Sequence, residues 1–250
     1  MSSDDEHEEG KRSRRLGQRL PAQLLDLTMS ADKKWHEKWK RNQDLLQFPH
    51  PFRACLTGPP NSGKSTAILN ILARANPSYG SIHVIYPGGS GGTSEYDMIR
   101  PKKLVHFHDS IPDIDVFPTI KDGAVKTAII IDDLELKEIA ADQRASLDRI
   151  IGHVSTHRHA DVFVCSQQWT NVPPIARRSC NVFVLWRPRD GRTISMMSEG
   201  VGEDLAVLFR MCQNPRDSVW IDRTENTPAG VRLNGFQVIG KKKRDDSDDF

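Results

Sequence analysis

The residues with the clearest chemical use lie between Leu56 and Thr66, in the run LTGPPNSGKST. Gly58, Gly63, Lys64 and Ser65 stand at the fixed places of the phosphate-loop pattern G-x-x-x-x-G-K-[ST]. Glycine at 58 lets the backbone turn out of a buried strand where a side chain would collide. The loop through Pro59, Pro60, Asn61 and Ser62 then aims successive N–H groups at phosphate oxygens. A helix starting near Gly63 adds the positive end of its dipole. Lys64 is placed to reach the β- and γ-phosphates, and the Ser65 hydroxyl to ligate Mg²⁺. Thr66 supplies a second hydroxyl, suited to the α-phosphate. The implied cofactors are ATP and Mg²⁺.

A second constellation closes the aliphatic run Thr127–Ile131 with Asp132 and Asp133. In phosphate-loop enzymes an acid at the tip of such a strand holds the metal, and a neighbouring group orients and deprotonates the attacking water. Asp132 is the metal candidate and Asp133 the base, with Glu135 as the alternative base. Gln167 follows another apolar run, Asp161–Ser166, and is a candidate sensor of the γ-phosphate or the water. Arg158 lies in the loop before that run. It reads either as a guanidinium reaching a neighbouring subunit's γ-phosphate or as an ordinary surface or phosphate-backbone contact. His153, His157 and His159 have partly helical spacing, but no Cys pair lies near them, so zinc is not the favoured reading.

These residues need strands and helices to hold them. Phe52–Thr57 reads as a short buried strand before the loop, and Ala67–Arg74 as an apolar helix after it, the context the motif requires. Ser81–Tyr86, Lys103–His108, Thr127–Ile131, Asp161–Ser166 and Asn181–Trp186 read as further strands. A continuous aliphatic strand such as Thr127–Ile131 must be covered on both faces, which predicts a parallel sheet. Ligands then gather at the strands' carboxyl ends, where Gln167 and both aspartates fall. The apolar spacing predicts helices over Leu134–Val154, Thr193–Glu199 and Gly202–Cys212. Ser218–Asp222 and Val231–Ile239 predict an edge strand pair. The Gly-rich run Pro87–Gly92 lacks a following Gly-Lys-Ser and reads as a surface loop.

The chain has 250 residues, 37% hydrophobic and 27% charged, which suits a globular protein with a full core. No apolar run is long enough for a membrane span. The N-terminal residues lack a signal-peptide core. Cys55, Cys165, Cys180 and Cys212 are scattered, which favours core thiols in a reducing compartment over disulfides. Net charge is only +2, but charge is segregated at both ends, with Lys241–Arg244 followed by four aspartates. Residues 1–20 and 241–250 read as charged, disordered tails. Residues 21–50 read as a helical segment with Trp35 and Trp39 one turn apart, serving as a packing or subunit-contact helix. Residues 51–240 form the main domain.

Taken in order, GPPNSGKST, IIIDD, STHRHADVFVCSQQWTNVPPIARRSCNVFVLW and DSVWID resemble the DNA-packaging ATPases of double-stranded DNA viruses, the poxvirus-type branch of the FtsK/HerA superfamily. The resemblance covers roughly residues 50–225. The phosphate loop alone is shared by many NTPases. The discriminating part is the H-R-H loop, the strand with its glutamine, the proline turn with arginines, and the N-x-F strand. The resemblance implies an α/β fold, a three-layer P-loop NTPase of the additional-strand type. Its central sheet would be mostly parallel, with antiparallel edge strands and disordered termini. It assigns Lys64 and Ser65 to the phosphates and Mg²⁺, Asp132 to the metal and Gln167 to sensing. Arg158 matches the place where related motors carry a trans-acting arginine. One departure is plain: the superfamily usually carries Asp-Glu after the strand, and here the pair is Asp132-Asp133.

The resemblance implies an ATP-hydrolysing motor that threads double-stranded viral DNA into a capsid. Such motors form a homo-oligomeric ring of about five or six subunits at the capsid vertex. The expected location is the virion or a viral factory, in nucleus or cytoplasm. Arg177, Arg178, Arg187, Arg189 and Arg192 are candidate DNA contacts. Two alternatives stand beside the motor. One is a nucleotide-gated assembly or scaffold protein with little turnover, which Asp133 in place of Glu keeps open. The other is a small-molecule kinase, against which no arginine-rich lid is visible.

Overall fold

The computed structural model describes residues 48–86, 95–118, 126–133, 139–224 and 230–240. The strand that the sequence requires to be covered on both faces is fully buried: all five residues of Thr127–Ile131 are inside. It lies within a nine-stranded sheet of order β3-β2-β4-β5-β1-β6-β7-β8-β9. The strands are β1 Arg53–Thr57, β2 Ser81–Ile85, β3 Val105–His108, β4 Thr127–Ile131, β5 Asp161–Ser166, β6 Val182–Trp186, β7 Ser218–Asp222, β8 Val231–Leu233 and β9 Gln237–Gly240. The pairs from β3 through β6 are parallel. The pairs from β6 through β9 are antiparallel. β5 separates the phosphate-loop strand β1 from the acid-tipped strand β4, as the additional-strand expectation required.

Alternation along the strands sends side chains into two separate cores, making three layers. Cys55, Ile129, Ile131, Val162, Val164 and Phe183 face one core. Ala54, Leu56, Ile130, Phe163, Cys165 and Val184 face the other. The helices are α1 Lys64–Arg74, α2 Ala141–Arg149, α3 Ser155–His157, α4 Pro174–Ser179, α5 Gly191–Val201 and α6 Leu205–Leu208. Ile68 and Ile71 of α1 pack on the second core. Leu147 of α2, Ala176 of α4 and Met197 and Val201 of α5 pack on the first.

Several boundaries differ from the sequence reading. Of the helix expected over Leu134–Val154, residues 134–138 lie outside the described residues; Ala140 is extended, so α2 starts at Ala141, and it runs on through a π-turn at Ile150–Val154 into α3. Ile139 matched the helical spacing yet is buried from outside the helix. The helix expected over Thr193–Glu199 spans Gly191–Val201, with the Asp190 carboxylate accepting from Thr193 N. It stops at Gly202, whose φ of 68° is the left-handed conformation glycine supplies at a helix end. The helix expected over Gly202–Cys212 is therefore only α6, capped by Asp204, and a 3₁₀ turn at Phe209–Met211. The strand expected over Val231–Ile239 is a hairpin. Asn234 and Gly235 both have positive φ, and Phe236 N donates to Leu233 O at 3.2 Å. That is the Asn-Gly turn that joins two short strands.

At the amino ends of the strands a fully buried carboxylate, Asp161, ties three segments together. It accepts from Phe52 N at 3.0 Å and from the Tyr79 hydroxyl at 2.6 Å, and His50 Nδ1 lies 2.8 Å away. Phe48 packs edge-on against Phe52 and Trp220, which extends the core ahead of Pro51. The two tails, the Trp35 and Trp39 segment, the Gly-rich run and Glu135 lie outside the described residues.

Candidate nucleotide site

β1 ends at Thr57 and α1 begins at Lys64, so six residues must reverse the chain over the sheet edge. Gly58 passes against Trp186: a Cβ on it would sit 2.6 Å from the Trp186 Cβ. Gly63 adopts φ 105°, and no side chain caps the helix start. The first N–H groups of α1 are thus left for a ligand, with no acid in the first turn to compete. The buried Ser62 hydroxyl has no hydrogen-bond partner among the described residues. A backbone turn with an idle hydroxyl and an uncapped helix start is a cradle that fits an anion.

Lys64 fills that cradle with its own head. Its ammonium donates to Gly58 O at 2.8 Å and Pro59 O at 3.0 Å. Burial pulls its pKa below the ordinary lysine value, opposed by the negative charges of Asp132 and Asp133. That opposition places both aspartates near the ammonium, so the two sequence motifs open onto one place.

Asp132 N still bonds to Ile85 O at 3.0 Å, so the residue continues β4 while its side chain leaves the ladder. It is 7% exposed, and burial raises its carboxyl above the usual range, against the opposing pull of Tyr96, the Asp133 N–H and Lys64. The Asp132 carboxylate and the Ser65 hydroxyl both come close to the Tyr96 hydroxyl, and together they are hard oxygen donors of the kind Mg²⁺ takes. Asp133 turns sharply, with φ 51°. Its carboxylate accepts from the Gln167 amide at 2.9 Å. The inserted strand explains the meeting: Ile131 pairs with Val164, so the next residues of β4 and β5 emerge side by side.

Arg158 has a different setting. It follows α3 and precedes β5, at the amino ends of the strands, opposite its own phosphate loop. Its guanidinium is mostly buried and donates to Ile114 O at 2.6 Å and to Phe117 O, with Asp115 3.4 Å away. In its own chain it is a strut. The other arginines divide between the sheet's two ends. Arg187, Arg189 and Arg192 follow the carboxyl end of β6, and Arg177 and Arg178 precede its start.

Two cavities flank the loop. One of about 520 Å³ is bounded by Gly58, Pro60, Gln167, Trp186 and Arg189. The other, of about 670 Å³, extends from Thr66 along Asn70 and Arg74 to Trp186, Arg216 and Phe236. Trp186 divides them, fixed by its indole N–H on Arg216 O at 3.1 Å.

The sequence reading missed the 3₁₀ turn Glu95–Met98, whose Tyr96 is completely buried beside Asp132 and Ser65. It also missed Phe236, brought to the second cavity by the unforeseen hairpin. Tyr96 follows a Gly-rich run with no pattern to mark it. The Asn234-Gly235 dipeptide was a usable signal for the second.

Neither a protein-family model nor a curated protein matches the sequence. Solved structures do. The genome packaging NTPase B204 from Sulfolobus turreted icosahedral virus 2, in complex with ATP-gammaS, aligns with a TM-score of 0.52 at 17% identity. The match covers 73% of this chain and 96% of that one. The same protein with AMPPCP gives 0.53 at 16% identity, over 73% and 96% of the two chains. B204 described as the DNA-packaging ATPase from Sulfolobus Turreted Icosahedral Virus gives 0.50 at 13% identity, over 74% and 97%. With its inserted β5, its mostly parallel sheet and its antiparallel edge, this chain has the fold of a P-loop NTPase.

Proposed function

We propose that this protein is an ATP-hydrolysing motor that moves double-stranded viral DNA into a capsid, working as a ring of identical subunits. The observation that carries the reading is the convergence of Lys64, Asp132, Asp133 and Gln167 at the carboxyl ends of three adjacent strands. The fold shared with a viral genome packaging NTPase supports it. Capsid-vertex attachment and residence in a virion or viral factory belong to the same reading.

ATP enters with its phosphates along the loop. Lys64 exchanges Gly58 O and Pro59 O for the β- and γ-phosphates. Thr66 takes the α-phosphate, so the nucleoside continues into the larger cavity, where Phe236 offers a stacking face and Asn70 an amide. Ser65 and Asp132 would hold Mg²⁺, which when bound offsets phosphate charge. Asp133 accepts the proton of the attacking water, and Gln167 orients the carboxylate or the water. Arg187, Arg189 and Arg192, on the same side of the sheet, are the nearer DNA contacts. Held mainly through phosphates, DNA should dissociate steeply with salt.

A scaffold with slow turnover is the second reading, favoured by the Gln167 bond that occupies the Asp133 carboxylate. ATPase rate with and without duplex DNA, with mass by light scattering in ATP, separates the two. Stimulation by DNA in an oligomer supports the motor. ATP-driven assembly with unstimulated, very slow hydrolysis supports the scaffold.

A further inference from the structure

Tyr96 is an expensive residue where it sits. It is 0% exposed, packed in the core formed by Leu56, Ile68, Val84 and Ile130, and its hydroxyl has no hydrogen-bond partner among the described residues. Burying a hydroxyl without a well-formed hydrogen bond is costly, and a phenylalanine of the same shape would avoid that cost. The polar groups it faces are the Asp132 carboxylate and the Ser65 hydroxyl, the two proposed metal ligands.

We infer that Tyr96 is a positioning residue for the metal end of the site, its hydroxyl the donor that sets the orientation of the Asp132 carboxylate opposite Ser65. The inference rests on the nucleotide reading above. One Asp132 oxygen takes the Asp133 N–H at 2.9 Å. An ionised carboxylate has lone pairs left for a second donor and for a cation. Donors behind a ligating carboxylate decide which lone pair faces the metal.

The mounting of Tyr96 suits that task. Its 3₁₀ turn packs on α1, the helix that carries Ser65. Ile99 N closes the turn on Tyr96 O at 2.9 Å. Arg100 pairs with Asp97 at 2.8 Å and lies 3.9 Å over the Phe107 ring, which pins the turn to β3. The ring is therefore held from α1 and from the β3 side, and the hydroxyl is left aimed at the ligands.

Tyr96→Phe removes the oxygen and keeps the ring. ADP binding by calorimetry, in EDTA and across a Mg²⁺ titration, is the measurement. The expected result is affinity in EDTA unchanged within about twofold, with the Mg²⁺ midpoint raised about tenfold. The unfolding midpoint of the variant without nucleotide should stay close to that of the unaltered chain, because the ring that fills the core is kept. An unchanged Mg²⁺ midpoint overturns the inference and leaves the nucleotide reading standing. Equal loss of affinity with and without Mg²⁺ also overturns it, since that marks a packing role. Failure of the unaltered chain to bind ADP in either condition overturns the nucleotide reading itself.

Discussion

The Gln167 side-chain amide donates to the Asp133 carboxylate at 2.9 Å, joining the tips of β5 and β4 across the mouth of the phosphate loop. The bond engages the proposed base directly. Asp133→Asn should lower the ATP turnover number by about 10²–10⁴. Asparagine tolerates the left-handed backbone that Asp133 adopts, so nucleotide affinity and folding should change little. Gln167→Ala should lower turnover by about 10²–10³, the scale for losing one oriented donor. Steady-state hydrolysis together with equilibrium binding of a non-hydrolysable analogue checks both.

Asp132 carries its charge in a site where burial disfavours it. For a carboxyl raised above its unfolded value, stability falls as pH rises from that value toward the folded one, so the ionised side chain carries a penalty. Asp132→Asn should therefore stabilise the nucleotide-free protein while abolishing Mg²⁺-dependent tightening of ADP binding. Urea denaturation at neutral pH, paired with the calorimetric titration, reads both effects. A destabilised variant would contradict the sign.

Phe236 stands on the hairpin turn, 49% exposed, at the rim of the larger cavity. Stacking on an aromatic face contributes about 1–3 kcal/mol per base. Phe236→Ala should weaken ATP binding about tenfold or more and leave tripolyphosphate binding unchanged. Equal loss for both ligands would place the nucleoside elsewhere.

His83 sits under the β3 edge, stacked on His106 and His108, with Phe117 edge-on. Its Nδ1 lies 3.0 Å from His108 Nε2, and its Nε2 lies 3.0 Å from Ser81 Oγ. Burial, with the two neighbouring imidazoles, holds its pKa at about 3, and His108 is lowered too. His83 stays neutral when folded and takes a proton when unfolded, so the stability it contributes is full above the ordinary histidine value of 6.5 and falls as pH drops toward 3, and His108 acts in the same direction. His83→Gln should flatten the loss of unfolding free energy between about pH 6.5 and pH 5 by roughly 1.4 kcal/mol per pH unit. The Tyr96 hydroxyl and the phosphate loop should be indifferent to that change.

Arg158→Ala removes the donor from two loop carbonyls, Ile114 O and Phe117 O. The unfolding free energy should drop by about 2–4 kcal/mol, since buried carbonyls lose a charged partner. A trans-acting role asks the same guanidinium to release both carbonyls. Subunits bearing Arg158→Ala mixed with subunits bearing Asp133→Asn test that directly. Recovered hydrolysis assigns Arg158 a second task on a neighbour, and no recovery leaves it a strut.

The parallel core was legible because its signals are local. Aliphatic runs such as Ala128–Ile131, each ending in a polar residue, give strand, burial and direction together. The loop was legible because phosphate chemistry restricts Gly58, Gly63, Lys64 and Ser65 to one spacing. The meeting of Asp133 with Gln167 depends on β5 being inserted between β4 and β1, a long-range pairing that resemblance suggested and periodicity alone does not contain. Tyr96 was invisible because its role depends on a 3₁₀ turn docking on α1. The break ahead of Ala141 was not legible because a buried isoleucine, Ile139, matches helical spacing whether or not the backbone is helical. The edge hairpin was passed over although Asn234-Gly235 announced it.

The buried carboxylate at the head of β5 has a mechanical meaning. Asp161 is gripped from the Phe52 backbone, from Tyr79 and from beside His50. A strand so gripped cannot slide by one residue, and such a slip would exchange every inward and outward side chain along it. β5 thus works as a ruler with its zero mark at Asp161. The far end, where Ser166 hands over to Gln167, is measured from that mark, so the spacing at the catalytic rim is set from the opposite side of the sheet.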